Sequence, residues 1–145
     1  MFRNNKASAW AVALILLILS SAAFAGVSDY NGTWEGDGTG QVQWGIYTIE
    51  PFYDWIMYLS DGVIEGSWED GPAYGSMDGS VNSNGYATGT WDMDYPYTSP
   101  QLHGTWTATF DEDGTMEGDW WYYNTLSQLI YGGDLEGYRY PGIPD

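Results

Sequence analysis

The chain has 145 residues, no cysteine, and 20 acidic residues against three basic ones, which gives a formal net charge of −17 at pH 7. Such an excess of negative charge repels phosphate groups and anionic lipid heads, and it argues against a nucleic-acid partner. Without disulfide bonds the fold depends on its core, for which the 13 tyrosines and the eight of nine tryptophans that follow residue 25 supply apolar area.

The first 25 residues have the pattern of a secretory signal peptide. Arg3 and Lys6 precede an unbroken apolar run at residues 9–19, and Ala-Phe-Ala at residues 23–25 offers small residues at the cleavage positions. The run is shorter than the roughly 20 residues of a membrane-spanning helix, so cleavage is favoured over a permanent anchor. We predict cleavage after Ala25, with residues 26–145 released as one domain to the periplasm, the cell surface or the medium.

The domain that remains is more acidic than the whole chain. Arg3 and Lys6 leave with the leader, so Arg139 becomes the only Lys or Arg against 20 acidic residues, a formal charge of −19. Self-repulsion at this charge density destabilises the compact state at low ionic strength. Dissolved cations relieve it either by screening or as bound Ca²⁺. Screening is the preferred interpretation, so no cofactor is predicted, and Ca²⁺ is kept as the alternative.

A hairpin pattern recurs along the domain. Segments 59–68, 81–91 and 110–120 each contain an apolar strand end, an Asp-Gly or Asn-Gly turn, and then apolar-x-Gly-x-Trp. These dipeptides accept the positive φ angles of tight hairpin turns. Segments 30–34 and 102–106 keep only the strand half of the pattern. The repeat predicts a sheet built of antiparallel hairpins.

Alternation along a strand places the apolar residue, the glycine and the tryptophan of each copy on one face, and polar residues on the other. The inward glycine leaves room for the indole of a neighbouring strand. The tryptophans predicted to build this buried face are Trp34, Trp68, Trp91, Trp106 and Trp120.

Further strand-like segments lie at 41–50, 55–59, 75–81 and 135–140, for a total of eight or nine short strands. The fold predicted is all-β, a small antiparallel up-and-down β-barrel of about eight strands, with a β-sandwich as the alternative. One short helix is predicted at 125–131, where Thr125 and Gln128 match a capping box and apolar residues follow helical spacing.

Two segments resemble a known group of barrels. Residues 30–34 (Tyr-Asn-Gly-Thr-Trp) open the domain as a Gly-x-Trp opens lipocalins and avidins, the calycin-like up-and-down barrels. In those families a basic residue of the closing strand packs over that tryptophan, and Arg139 lies in a corresponding place near the end of this chain. The resemblance implies a barrel with Arg139 over Trp34, and it implies no ligand. Independently, a lone arginine among carboxylates is expected to be paired or to stack on an indole, a structural role.

Catalytic chemistry has few candidates. His103, the single histidine, replaces a polar residue of the strand motif and is predicted to lie on the surface, without a metal or catalytic role. Glu65 and Glu117 could serve a glycosidase, which needs two carboxylates about 5–5.5 Å apart if it retains configuration. Both are explained by the repeat, so this is a minor alternative. We predict no enzyme, no catalytic residue and no metal site.

Several aromatic residues fall outside the inward set, and exposed rings of this size usually mark an interaction surface. Rings beside carboxylates suit sugars, because an aromatic ring stacks on the C–H faces of a sugar while the acids accept hydrogen bonds from its hydroxyls.

We hypothesise a secreted, non-enzymatic protein that binds a small molecule or a glycan. The alternative is a structural or cell-surface protein that self-associates through sheet edges or is stabilised by Ca²⁺. The oligomeric state is left open. The candidate ligand-binding residues are Trp121, Tyr123, Tyr95, Tyr97, Phe52 and Tyr53. A second interpretation of Trp121 and Tyr123 is that the helix at 125–131 covers them.

Overall fold

A computed structural model of the protein describes residues 26–141, and the predicted signal peptide lies outside them. Within this range no helix has the length and apolar character needed to cross a membrane. The elements are a 3₁₀ turn (Val27–Tyr30), β1 (Gly32–Gly38), β2 (Val42–Trp44), β3 (Tyr47–Ile49), β4 (Asp54–Ser60), β5 (Val63–Asp70), β6 (Ala73–Val81), β7 (Tyr86–Tyr95), β8 (His103–Phe110), β9 (Thr115–Tyr123) and β10 (Leu129–Arg139).

Eight of these strands form a closed antiparallel barrel. β4 to β10 follow one another around it in chain order, and β1 closes the ring by pairing with both β4 and β10. Strands β2 and β3 form a separate two-stranded hairpin, inserted between the first and second strands of the barrel. The predicted up-and-down barrel is confirmed, and the sandwich alternative is excluded because the sheet has one layer that closes on itself.

The three predicted hairpins are those that join β4 to β5, β6 to β7, and β8 to β9. Their turn glycines, Gly62, Gly85 and Gly114, have φ angles of +88°, +84° and +96°. An L-residue with a side chain rarely adopts such angles. The Asp-Gly and Asn-Gly dipeptides therefore determine where these strands reverse direction.

Tryptophan side chains fill the barrel. The five from the repeat are 1% exposed or less, and Trp55 of β4 joins them. Each of the six indole N–H groups donates to a main-chain carbonyl, at 2.8–3.2 Å. A buried N–H without a partner would cost free energy. These bonds therefore let large rings occupy the interior without an unsatisfied donor.

Both ends of the barrel are covered. At one end the 3₁₀ turn lies across the opening, with Tyr30 only 4% exposed and its hydroxyl donating to the carbonyl of Ser83. At the other end Phe52 is fully buried, with its ring centroid 5.7 Å from that of Trp91 and 5.9 Å from that of Trp120. An eight-stranded barrel can either hold a small ligand or be filled by side chains. In this protein side chains fill it.

The helix predicted at 125–131 does not form, and that prediction is wrong. Residues 124–128 make the tight turn between β9 and β10, and β10 already begins at Leu129. The Oδ1 atom of Asn124 accepts the main-chain N–H of Leu126 and of Gln128, each at 2.9 Å. Asparagine side chains that bond the following main chain favour turns over helices.

Arg139 connects the end of the barrel to its first strand. Its guanidinium carbon lies 4.9 Å from the ring centroid of Trp34, and its Nη2 donates to the carbonyl of Asp29 at 2.9 Å. Its Nε is buried without a hydrogen-bond partner among residues 26–141. The side chain thus holds the 3₁₀ turn over the Trp34 end of the core.

Replacing Arg139 with methionine keeps an apolar stem but removes the cation and the hydrogen bond to Asp29. We expect the free energy of unfolding to fall by about 1–2 kcal/mol, with a smaller loss for Arg139→Lys because its ammonium retains the charge. Urea unfolding followed by tryptophan fluorescence measures both. Equal stability of Arg139→Met and the parent protein would contradict this role.

Candidate functional site

Segments of this acidic chain without Asp, Glu, Lys or Arg include 38–49, 95–102 and 120–133. The up-and-down topology brings the loops within them to one end of the barrel, because they follow β1, β7 and β9, which all run toward that end. We call residues 39–49, 96–102 and 124–128 the uncharged end. Glu50, whose main-chain N–H donates to Asp70, and the turn that follows Asp70 lie at the same end of the barrel but outside this surface. At the opposite end, acids lie at Asp29, Asp61 and residues 111–113, whereas the turn at 82–85 carries none. The uncharged end is therefore a charge-free surface on a strongly acidic barrel.

The uncharged end also carries the most exposed large hydrophobic side chains of the described residues. Ile46 is 88% exposed, Tyr97 87% and Leu126 76%, and each lies on a different loop. Single exposed apolar residues are ordinary, but a group of them on neighbouring loops is typical of an interaction site.

A cleft of about 510 Å³ opens among these loops. Trp44, Tyr47 and Tyr122 provide its aromatic side chains, and amides and hydroxyls provide most of its polar groups. No carboxylate lines it, whereas four other clefts on the barrel wall each include at least two. The polar side chains of the cleft are Gln43, Thr98, Ser99, Asn124 and Thr125.

Trp44 holds this part of the structure together. It is 7% exposed, and its indole N–H donates to the carbonyl of Pro100 at 3.1 Å. That bond links the hairpin of β2 and β3 to the loop between β7 and β8. Within the hairpin, the Gln43 amide accepts from the Thr48 hydroxyl at 2.7 Å and donates to the carbonyl of Gly45 at 3.2 Å. The cleft therefore has walls positioned by specific bonds.

The predicted residues Trp121 and Tyr123 lie elsewhere, on the outer wall, and both are half-buried. Trp121 meets Tyr131 of β10 edge to face with centroids 5.7 Å apart, and Tyr123 lies 5.0 Å from the ring of His103. Neighbouring strands, rather than a helix, partly cover them. Tyr95 is also on the wall, stacked on Tyr74 at 5.6 Å.

The remaining three predicted residues separate. Tyr97 belongs to the uncharged end, and Tyr53, 56% exposed, lies at the acidic wall in a cleft with Glu35 and Glu136. The prediction that Phe52 is an exposed ligand contact is wrong, because its side chain is fully buried in the core. Phe52 has a φ of +66° and lies in the turn between Pro51 and the start of β4 at Asp54.

Sequence reasoning missed the residues that form the cleft, namely Trp44, Tyr47 and Tyr122. The signal available was the lack of charge over 38–49 in a chain where acids are otherwise frequent. Tyr122 precedes the turn at 124–128, and alternation with Trp121 and Tyr123 points it away from the outer wall.

The barrel wall carries acids in facing positions. Across β9 and β10, Glu117 lies opposite Glu136 and Asp119 opposite Asp134, and Asp37 of β1 lies on the other side of Glu136. Like charges that face each other across strands are destabilising. Tyr131 relieves one pair, because its hydroxyl oxygen lies 2.6 Å from Oδ1 of Asp134 and 2.8 Å from Oδ1 of Asp119, so that its single proton is shared between them. These contacts raise the pKa of the tyrosine.

Glu136→Gln is expected to raise the melting temperature by about 2 °C at low salt, because it removes repulsion from both cross-strand neighbours. Added NaCl should raise the melting temperature of the parent protein and shrink the difference, since exposed charges are screened. Thermal unfolding at 10 mM and 500 mM NaCl measures this. A larger advantage for the variant at high salt would contradict the electrostatic explanation.

Asp92 faces His103 across β7 and β8. Burial raises the pKa of the Asp92 carboxyl, Asp94 and Asp78 raise it further, and His103 opposes them. A carboxyl with a raised pKa in the folded state destabilises the protein when ionised. Its unfavourable contribution is therefore absent below the unfolded pKa and develops as pH rises through the folded pKa.

We expect Asp92→Asn to be more stable than the parent at pH 7, with the difference vanishing as pH falls toward about 4. Asp113 supplies a control of opposite sign, because hydrogen bonds from Thr115 lower the pKa of its carboxyl. Asp113→Asn should be less stable at pH 7, again with a difference that disappears in acid. Urea midpoints across pH 3–8 test both, and identical profiles for the two variants would contradict the assignment.

The two carboxylates considered for catalysis lie on separate parts of the barrel wall. Glu65 is on β5 and Glu117 on β9, four strands apart around the barrel and both exposed, so they do not flank a common cleft. Within residues 26–141 no three acidic or histidine side chains gather closely enough to hold a metal ion.

The fold and the site define a class: a closed antiparallel barrel with a solid core and a loop-built, uncharged surface at one end. Comparison of the chain with protein-family models, with curated proteins and with solved structures finds no match.

Proposed function

We propose that this is an exported, non-enzymatic binding protein whose ligand is a glycan or a small molecule. The observation that carries the proposal is the uncharged end, where Ile46, Tyr97 and Leu126 stand exposed on three loops of a barrel with charged walls. Binding residues are found disproportionately on loops that a rigid scaffold holds in position. The predicted signal peptide supports export.

In this proposal the ligand binds outside the barrel rather than within it. The interior is occupied by tryptophan, phenylalanine and methionine side chains that are less than 2% exposed, including Phe110, Met57, Met77 and Met93. A ligand in the lumen would have to displace several of these rings. The loop-lined cleft at the uncharged end is accessible without such a change.

The alternative function is a structural or cell-surface protein that self-associates. Closure pairs every barrel strand on both sides, so among the described residues only the hairpin of β2 and β3 offers open sheet edges. The like-charged walls also repel one another. Self-association would therefore use the uncharged end, and sedimentation with and without Ca²⁺ would then reveal a concentration-dependent dimer.

The binding proposal is tested with the protein comprising residues 26–145, which contains every element of the barrel. A glycan array and a panel of small molecules are screened, with tryptophan fluorescence as a second readout because Trp44 lies at the cleft. We expect at least one class of ligand to bind saturably. A flat response in both assays would contradict the proposed function.

A further inference from the structure

We propose that the cleft at the uncharged end selects an uncharged, hydroxyl-rich ligand, of the class of neutral oligosaccharides. This inference rests on the proposed function, and it adds a site and a ligand class to it. It is carried by the composition of the cleft, by its unused hydrogen-bonding capacity and by the distribution of charge over the rest of the barrel.

The lack of charged groups in the cleft argues against anionic and cationic ligands. A bound anion or cation needs an opposite charge or a set of directed donors to replace its hydration shell. The cleft between the β2 and β3 hairpin and the loops offers neither a carboxylate nor a basic group. An anionic ligand is also repelled by the acidic domain as a whole, and a cationic one is attracted to the carboxylates of the wall instead.

Hydrogen-bonding capacity favours hydroxyl groups. Gln43 uses one N–H and one lone pair within the hairpin, which leaves its amide able both to donate and to accept. Thr98 donates its hydroxyl proton to the carbonyl of Pro100 and keeps its acceptor sites. A sugar hydroxyl also donates and accepts, so it matches groups of this kind better than a purely anionic ligand does.

Aromatic rings supply the apolar part of the recognition. Tyr47 is 38% exposed at the edge of the hairpin, and Tyr122 lines the same cleft from β9. Sugar rings present faces of C–H groups that pack on aromatic surfaces, and a cleft of about 510 Å³ lies within the usual range for small ligands. Aromatic residues together with amides and hydroxyls, without charge, thus define the proposed ligand.

The test compares three sets of oligosaccharides of equal length, neutral, uronic-acid-containing and amino-sugar-containing, by titration calorimetry against the 26–145 protein. We expect measurable affinity for neutral members only. Tyr47→Ala should weaken it about tenfold or more, Tyr47→Phe should retain most of it, and Tyr86→Ala, an exposed tyrosine outside the cleft, should leave it unchanged. Thermal melting shows that each variant is folded.

The outcomes separate this inference from the proposed function. Preference for a charged set, or loss of binding in Trp121→Ala but not in Tyr47→Ala, would overturn the cleft assignment and leave a binding protein with its site on the wall. Failure of all three sets would also overturn the inference. The proposed function would be overturned only if the glycan array and the small-molecule panel also showed no binding.

Discussion

Trp91→Ala is expected to lower the free energy of unfolding by about 4 kcal/mol, the largest effect of a single truncation in this core. Trp91 is 1% exposed and lies at the centre of a ring cluster, with centroids 5.7 Å from Phe52, 6.0 Å from Trp68 and 5.7 Å from Trp120. Its truncation leaves a cavity that three neighbouring rings border. It also leaves the carbonyl of Trp121 without its 2.8 Å donor. Chemical denaturation in urea measures the loss.

Two variants give this prediction its controls. Trp91→Phe keeps most of the apolar volume but not the N–H, so we expect a loss of about 2 kcal/mol. Trp121→Ala removes an indole of the same size from the half-buried wall and should cost less than Trp91→Ala. If Trp121→Ala were as damaging as Trp91→Ala, the interior would not be the main source of stability.

Gly89→Ala is expected to cost about 3 kcal/mol, because the added methyl group has no room. A Cβ at this position would overlap the carbonyl oxygen of Asp78 on β6 and would lie 2.6 Å from Cε2 and Nε1 of Trp106. The indole is itself buried and bonded to the carbonyl of Thr90, so it cannot move aside easily. Thermal and urea unfolding of the variant measure the effect.

The control for Gly89→Ala is Thr88→Ala on the same strand, whose side chain is exposed on the outer wall. Surface changes of this kind usually alter stability by less than about 0.5 kcal/mol. A loss for Gly89→Ala no greater than that of Thr88→Ala would show that the glycine is not required for the indole to pack. The Gly-x-Trp pattern would then lose its steric explanation.

These two residues show why much of the fold could be predicted. Gly89 and Trp91 lie two positions apart, and alternation alone places them on the same face. In three of the five copies a turn glycine precedes the motif and orients the strand relative to its partner. Repetition of the Gly-x-Trp hairpin gives an antiparallel sheet, because each tight turn fixes the register of the two strands that it joins.

Predictions failed where two local signals competed. At 125–131 a capping-box pattern indicated a helix, but Asn124 bonds the main chain of the next residues and β10 takes up the following segment. At 41–50 one strand was predicted where β2 and β3 form a hairpin that turns at Gly45, whose φ is +61°. In both places a tight turn pairs residues that are close in sequence, Trp44 with Tyr47 and Tyr123 with Leu129, where the local pattern had indicated one continuous element.

The candidate site was harder to predict than the core, because its parts are distant in sequence. Trp44 and Pro100 are joined by a hydrogen bond although 56 residues separate them. Alternation turns Tyr122 away from the outer wall, but its position in the sequence does not show that β9 ends beside the β2–β3 hairpin. Only the order of the strands shows that the three charge-free segments meet at one end of the barrel.

The contrast between the acidic wall and the uncharged end gives these observations a common physical meaning. The acids of the wall repel the like-charged walls of other copies. The uncharged end is then the surface that a neutral partner can approach without removing water from ionised groups, which would be costly. The proposed site therefore lies where the surface of this acidic protein carries no charge.

The most direct test is a nuclear magnetic resonance titration of the isotope-labelled 26–145 protein with the neutral oligosaccharide that binds most tightly. The account predicts chemical-shift changes concentrated in residues 39–49, 96–102 and 124–128, including the indole N–H of Trp44, with the acidic walls unchanged. Shift changes centred instead on His103 and Trp121 of the outer wall would contradict it.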